Sequence, residues 1–288
     1  MRDAWLKEAL EAAKHKADFY SGCRKILRNQ GFTIRKRDIA NDLNMPDAGY
    51  TSSKMKSLIR GYVHEEARAA GVLLWDGRLK RAKYGSVGFH CFNHFVKGTA
   101  AENVEARLNG VQTGSKRASV MGPCIQSVSL TYLPDKTTSV DCFYRTTELF
   151  KKFPADLVFI RDELLKPFDF SKAPISEINF HFANVTAHPM YFVTLIPLLE
   201  DPIAEIMHIR RADRFFHDWL VKWTARYVCD EYMRGIEKFG QAMRVRKDAL
   251  SRIDPKTLKK LQKYLRDAHP GYRGDAKKDE ELEDEEEG

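Results

Sequence analysis

The stretch from Ile125 to Tyr144 constrains this chain most. Apolar and polar residues alternate through Val128, Leu130 and Tyr132; a Pro134-Asp135-Lys136 turn signal follows; Val140, Cys142 and Tyr144 resume the alternation. Period-two patterning on both sides of a turn predicts an antiparallel β-hairpin. Cys124 lies 11 residues before Asp135 and Arg145 lies 10 residues after it. Antiparallel pairing therefore predicts that the two meet at the hairpin's open end. A guanidinium beside a thiol is a setting expected to favour thiolate, against a free-thiol pKa of about 8.5.

The rest of the chain reads as helices with few strands. Residues 3–29 carry Trp5, Leu6, Leu10, Phe19, Tyr20, Cys23, Ile26 and Leu27 at helical spacing, with Gly31 as a stop. Residues 33–53, broken by Pro46 and Gly49, read as loop with a short helix. A helix is expected over 54–70, ending at Gly71, before a short apolar run Val72–Trp75 and a further helix over 100–109. Residues 155–165 predict a buried helix, 177–186 a strand, 201–240 helices with a Phe216, Trp219, Leu220, Trp223, Tyr227 stripe, and 255–268 an amphipathic helix. Mixed helices and antiparallel strands predict an α+β fold. The expected organisation is a domain over 1–200, a helical C-terminal extension over 201–270 packed on it, and a tail over 271–288.

Charge is unevenly placed. The chain has 288 residues and a formal net charge of +8. Residues 274–288 hold nine acids and two lysines, which leaves 46 basic and 31 acidic residues on 1–273. The like-charge tail is expected to be solvated and disordered, and the basic body to meet an anionic partner. A 43% apolar content supports a sizeable core. No apolar run approaches the ~20 residues that span a bilayer, and the N-terminus lacks an apolar signal core. Five cysteines without a CxxC pair disfavour a disulfide frame or zinc ribbon. A cytoplasmic, reducing setting is the expectation, with no membrane partner and no metal; His90 and His94 lack an obvious third ligand and read as structural.

The segment from Cys124 to Asp156 resembles the thymidylate synthase family, which includes the pyrimidine nucleotide hydroxymethylases. Pro123-Cys124 is similar to the family's nucleophile dipeptide, and Arg145-Thr146-Thr147-Glu148-Leu149-Phe150 with Pro154-Ala155-Asp156 is similar to its Arg-Ser-x-Asp and Pro-x-Asn strings. Upstream, Arg37-Asp38 (with the order of Asp and Arg differing from the family's), Ser52-Ser53-Lys54, His64-Glu65, Leu74-Trp75-Asp76, Tyr84-Gly85 and Ser115-Lys116-Arg117, and downstream Ala187-His188, resemble further family pieces in order. The resemblance covers about residues 18–192. Lys116 stands for an arginine, Met190 for the tyrosine of His-x-Tyr, and the chain between Glu65 and Trp75 is short.

The resemblance implies a thymidylate-synthase-like mixed sheet and a pyrimidine nucleoside monophosphate substrate. It implies that Cys124 adds to C6 of the ring and makes C5 nucleophilic, with Glu65 and Tyr84 serving proton transfer. Arg145, Thr146, Arg37 and, from the second subunit of a homodimer, Lys116 and Arg117 would hold the phosphate. Asp156 and His188 would meet base and sugar, Glu148 and Trp75 the one-carbon donor, 5,10-methylenetetrahydrofolate. An ionised Asp156 only accepts hydrogen bonds, which favours a cytosine base and hence dCMP. With no recognisable C-terminal closing segment, hydroxymethyl transfer is expected over methyl transfer. Two rival readings stand beside this: a catalytically inactive scaffold of the same fold, and a basic helix-turn-helix over Arg37–Asn44 and Ser52–Tyr62 that binds nucleic acid.

Overall fold

A computed structural model of the chain describes residues 4–35, 65–82, 84–90, 124–193, 195–196, 199–229 and 253–268. Arg37, Lys116, Arg117, residues 54–64 of the helix expected over 54–70, the helix expected over 100–109, the helix-turn-helix segment and the acidic tail lie outside the described residues. The architecture is α+β. Six strands form one mixed sheet in the order β1-β2-β6-β5-β4-β3. They are β1 (Phe19–Ser21), β2 (Arg24–Arg35), β3 (Gly85–His90), β4 (Ile125–Tyr132), β5 (Thr138–Glu148) and β6 (Ile175–Ala187). Only β5 and β6 run parallel; the other neighbours are antiparallel. A parallel pair needs a crossover connection, and α3 (Phe153–Phe159), continued by a π-helical turn over Ile160–Leu164, supplies it. The remaining helices are α1 (Ala4–Lys14), α2 (Glu65–Lys80), α4 (Pro189–Val193), α5 (Pro202–Ala212), α6 (Arg214–Cys229) and α7 (Pro255–Ala268). No helix of the described residues is long and apolar enough to cross a membrane.

The hairpin forms as its alternation predicts. Val128 faces Cys142, Leu130 faces Val140 and Tyr132 faces Thr138, all buried. At the turn Asp135 accepts from the Thr137 N–H and hydroxyl at 3.0 and 2.6 Å, while Lys136 takes φ 62°. Aromatic rings from three elements close the core over the sheet: Phe153 meets Phe180 edge-on at 5.2 Å and lies 5.2 Å from Phe32.

Two sequence expectations are corrected. Residues 18–29 are not helix: α1 ends at Lys14, and Phe19 to Arg35 forms the β1–β2 hairpin around a Gly22-Cys23 turn. The turn needs φ 56° at Gly22, which costs glycine nothing. The expected strand over 177–186 is present and longer. Helix α2 does not stop at Gly71 but continues through the expected apolar run to Lys80. Gly71 is there for packing, because a Cβ would stand 3.1 Å from the Phe89 ring.

The helices beyond residue 200 are tied to the N-terminal segment by a buried ion pair. Lys25 on β2, fully buried, places Nζ 2.9 Å from Asp213. Asp213 precedes α6 and also accepts the Phe216 N–H at 3.1 Å, capping that helix.

Candidate active site

Strand direction decides which residues can meet. The C-terminal ends of the parallel strands β5 and β6 and the N-terminal ends of their antiparallel partners β4 and β2 lie along one edge of the sheet. That edge collects Cys124, Arg145, Thr146, Thr147, Glu148 and His188, together with Cys23 and Arg24. Cys124 is joined to Arg145 by the Arg145 N–H, which donates to the Cys124 carbonyl at 2.8 Å. Cys124 stands level with Arg145 and hence with Ala183 of β6, five residues before His188, so with strands about 4.8 Å apart and a rise of about 3.3 Å per residue Cys124 and His188 lie about 19 Å from one another.

Asp156 joins from the first turn of α3. The Thr147 hydroxyl donates to its Oδ2 at 2.9 Å, so Thr147, not the neighbouring Thr146, is the hydroxyl that orients it. Burial pushes the Asp156 carboxyl up to about 7, while the Thr147 bond and the Lys152 charge hold it lower. The Cys124 thiol, half-buried, is also pushed up. Burial is the main cause, the Asp156 charge adds to it, and Lys152 and Arg145 act in the opposite direction without prevailing. The expectation of a ready thiolate is therefore corrected: burial and the Asp156 charge outweigh the charges of Lys152 and Arg145 and favour the thiol.

Glu148 is committed to the backbone. Its Oε2 accepts the N–H groups of Phe150 and Lys151 at 3.0 and 2.6 Å, and its Oε1 accepts that of His188 at 3.0 Å. Burial pushes its carboxyl up to about 7 against these bonds. Glu148 thus fixes the turn after β5 to the end of β6 and sets where His188 stands. His188 in turn accepts the Met190 N–H on Nδ1 at 3.1 Å, so the proton of the neutral ring is on Nε2, which faces the Cys23 sulfur at 3.3 Å. Burial, with the charges of Arg24 and Lys151, pulls its pKa down to about 4. With Nδ1 used and Nε2 protonated, His188 is a hydrogen-bond donor and not a base for Cys23. Arg24, Arg145, Lys151 and Lys152 make the edge cationic, which suits a phosphate.

Two assignments fail on position. Tyr84 precedes Gly85, which pairs with Tyr132 at the turn end of the hairpin, and its ring lies 5.1 Å from that of Tyr132. Cys124 is eight residues back along β4, roughly 26 Å at the rise of a strand. Tyr84 is therefore outside the Cys124 site. Trp75 is fully buried, packs edge-on against Tyr132 at 6.4 Å and donates its N–H to the Asp169 carbonyl at 3.3 Å. It is a core residue at the same far end. Glu65 starts α2. The helix passes Tyr132 at Trp75 and Phe89 at Gly71, so its N-terminus points toward the Cys124 end. The residues that the sequence did not reveal here are Thr147, Lys151, Lys152, Cys23 and Arg24. Lysines, threonines and a cysteine next to an aromatic pair carry no spacing that marks them.

Among the described residues no group of three or more His, Cys, Asp or Glu side chains is arranged to hold a metal ion. Comparison of the chain with protein-family models and with curated proteins gives no match.

Proposed function

We propose that this chain is a thymidylate-synthase-like C5 hydroxymethyltransferase of a pyrimidine deoxynucleoside monophosphate, with dCMP preferred. The observation that carries the reading is the meeting of Cys124, Arg145 and Asp156, with Lys152, at one cationic end of the sheet. Arg145 would take the phosphate bidentately and Asp156 the base, while His188, with Nε2 against the Cys23 sulfur and Nδ1 on the Met190 N–H, stands outside the Cys124 site. Addition of the Cys124 sulfur to C6 forms the S–C6 bond and moves the ring's electron pair onto C5 and its conjugated O4 or N4. C5 then takes up a one-carbon electrophile and gives up its hydrogen as a proton, water supplies the hydroxyl oxygen of a hydroxymethyl product, and the S–C6 bond breaks to restore the ring. Glu65, at the helix end that approaches this edge, is the candidate for proton transfer.

The one-carbon donor implied by the resemblance is 5,10-methylenetetrahydrofolate. Its two expected contacts do not fit: Trp75 is sealed in the core and both oxygens of Glu148 are bound to backbone N–H groups. The residues present support the half of the reaction that the thiol performs by itself, addition at C6 and exchange of the C5 hydrogen. The same two observations, with the protonated thiol, favour a second reading, a nucleotide-binding scaffold of this fold without turnover. Tritium release from [5-³H]dCMP and [5-³H]dUMP separates the two. Release that vanishes in Cys124→Ala, while nucleotide binding persists, supports the transferase; product mass with the folate added then reports hydroxymethyl or methyl transfer. Binding without release from either base leaves the scaffold, and release that survives Cys124→Ala removes the covalent mechanism.

A further inference from the structure

The proposed function uses neither the C-terminal helix nor the acidic end of the chain. Helix α7 starts on Asp254, which accepts the Thr257 N–H at 2.9 Å. It buries Leu261 and Leu265. Lys256, Lys259, Lys260, Lys263 and Arg266 are all exposed. At about 100° per residue these five cations fall within an arc of about 120°, a single stripe along a helix about 21 Å long. Among the described residues no carboxylate pairs with any of the five. Arg210 of α5, close enough to Tyr264 of α7 to act on its hydroxyl, extends the positive field onto the neighbouring helix.

The complement is in the same chain. Residues 274–288 carry nine acids and two lysines and begin six positions after Ala268, the last residue of α7. The connection His269-Pro270-Gly271 holds turn-forming residues. Five linking residues reach at most about 18 Å, and the acidic run 275–287 reaches about 45 Å when extended. A chain that reverses after Ala268 can therefore lay its carboxylates back along the whole stripe. Tethering holds such a segment at an effective concentration in the millimolar range, ahead of most free competitors.

We propose that the lysine stripe of α7 is a polyanion-binding surface whose resident occupant is the chain's own acidic segment 274–288. The segment neutralises the stripe at low ionic strength and leaves it as salt screens the attraction, with a Debye length of about 10 Å at 0.1 M. A nucleic-acid phosphate backbone is the external polyanion that the segment holds off.

Carbodiimide cross-linking of the full chain, an equal mixture of ¹⁴N and ¹⁵N protein, followed by mass spectrometry, tests this directly. The expected result is amide linkage of Lys259, Lys260 or Lys263 to acids of 279–287 within one isotopic copy, falling severalfold at about 0.5 M salt. Linkages spread over the lysines of the whole chain, or found only between different copies, overturn the proposal. A second measurement uses the full chain with Glu280, Glu281, Glu283, Glu285, Glu286 and Glu287 changed to glutamine. Its affinity for a fluorescein-labelled DNA duplex at low salt should rise about tenfold or more. Adding Lys259→Glu, Lys260→Glu and Lys263→Glu should cancel that rise. An unchanged affinity, or a gain that the helix substitutions leave intact, also overturns it.

Discussion

Replacing Asp213 with alanine should be among the most destabilising single changes in the chain. Lys25 is fully buried. Its ammonium has Asp213 Oδ2 at 2.9 Å, the Ala13 carbonyl at 3.0 Å and the His15 carbonyl as acceptors, with the Phe216 ring centroid 5.2 Å away. Asp213 supplies its only opposite charge among the described ion pairs. Removing one partner of a buried pair costs about 3–5 kcal/mol because the other charge is left uncompensated. The same substitution deletes the N-cap of α6, about 1 kcal/mol more, and strands the Ala17 N–H and the Tyr20 hydroxyl that donate to Asp213. The expected loss is about 4–6 kcal/mol, against a typical total of 5–15. Lys25→Met should cost less, because Asp213 keeps three donors. The double variant should fall well short of the sum, with a coupling of about 2 kcal/mol or more. Burial already pulls the Lys25 pKa down, and Asp213 holds it up. Without Asp213 the folded state prefers the neutral amine while the unfolded chain stays protonated, so the variant's deficit should shrink as pH rises. Urea denaturation of the four proteins, read at constant m, measures all of this. A loss below about 1 kcal/mol, the range of an exposed pair, or strict additivity would refute the reasoning.

Three further outcomes are expected. Trp75→Ala should cost about 3–5 kcal/mol of stability through the cavity it leaves and Trp75→Phe far less, while nucleotide affinity is untouched in both; a selective loss of folate-dependent activity in stable Trp75→Phe would return Trp75 to the site. Asp156→Asn removes the charge that pushes the Cys124 thiol up, so the pH profile of iodoacetamide alkylation at Cys124 should move to lower pH; an unmoved profile in the variant would show that burial alone sets the thiol. His188 is held near 4 when folded, against about 6.5 unfolded. The unfolded chain therefore binds more protons at this group between those values, so His188 by itself takes stability away as pH drops from about 6.5 to 4. Glu148 and Asp156, both raised to about 7, work in the opposite direction over an overlapping window, so the test is the difference between wild type and His188→Asn: acidification should shift that difference in the variant's favour, and a difference that stays constant would refute the assignment.

How much could be read from the sequence depended on whether a residue's environment was local. The β4–β5 hairpin was legible because both of its strands bury one face, which leaves period two intact, and because Asp135 makes its own turn with Thr137. The β1–β2 hairpin was not. Along β2 the buried side chains change faces: Lys25 and Leu27 are buried on one side, Phe32 and Ile34 on the other, with Asn29 at φ 51° between them. That shift blurs the alternation, and the remaining apolar spacing mimics a helix. Gly71 misled in a similar way, since a glycine that admits Phe89 reads the same as a glycine that ends a helix. The Lys25–Asp213 pair joins residues 188 positions apart, two common charged residues with nothing local to link them.

The site itself divides along the same line. That Cys124 and Arg145 meet follows from strand pairing and could be deduced by counting from the turn. What the thiol does there does not follow from its neighbour in the hairpin, because its protonation is set by burial and by Asp156, a residue brought in by the crossover helix. The two groups are coupled: whatever removes the negative charge at Asp156 lowers the barrier to ionising Cys124. A base that hydrogen-bonds the Asp156 carboxylate, or a proton taken up as its value near 7 allows, relieves the thiol at the moment a ring stands beside it. The protonated carboxyl also offers one donor and one acceptor, as an amide does, so discrimination against uracil belongs to the ionised form. A dCMP-to-dUMP preference measured across pH 6 to 8 should therefore increase with pH in the wild type and lie flat in Asp156→Asn. A preference that is strong and constant across that range would mean that Asp156 does not read the base.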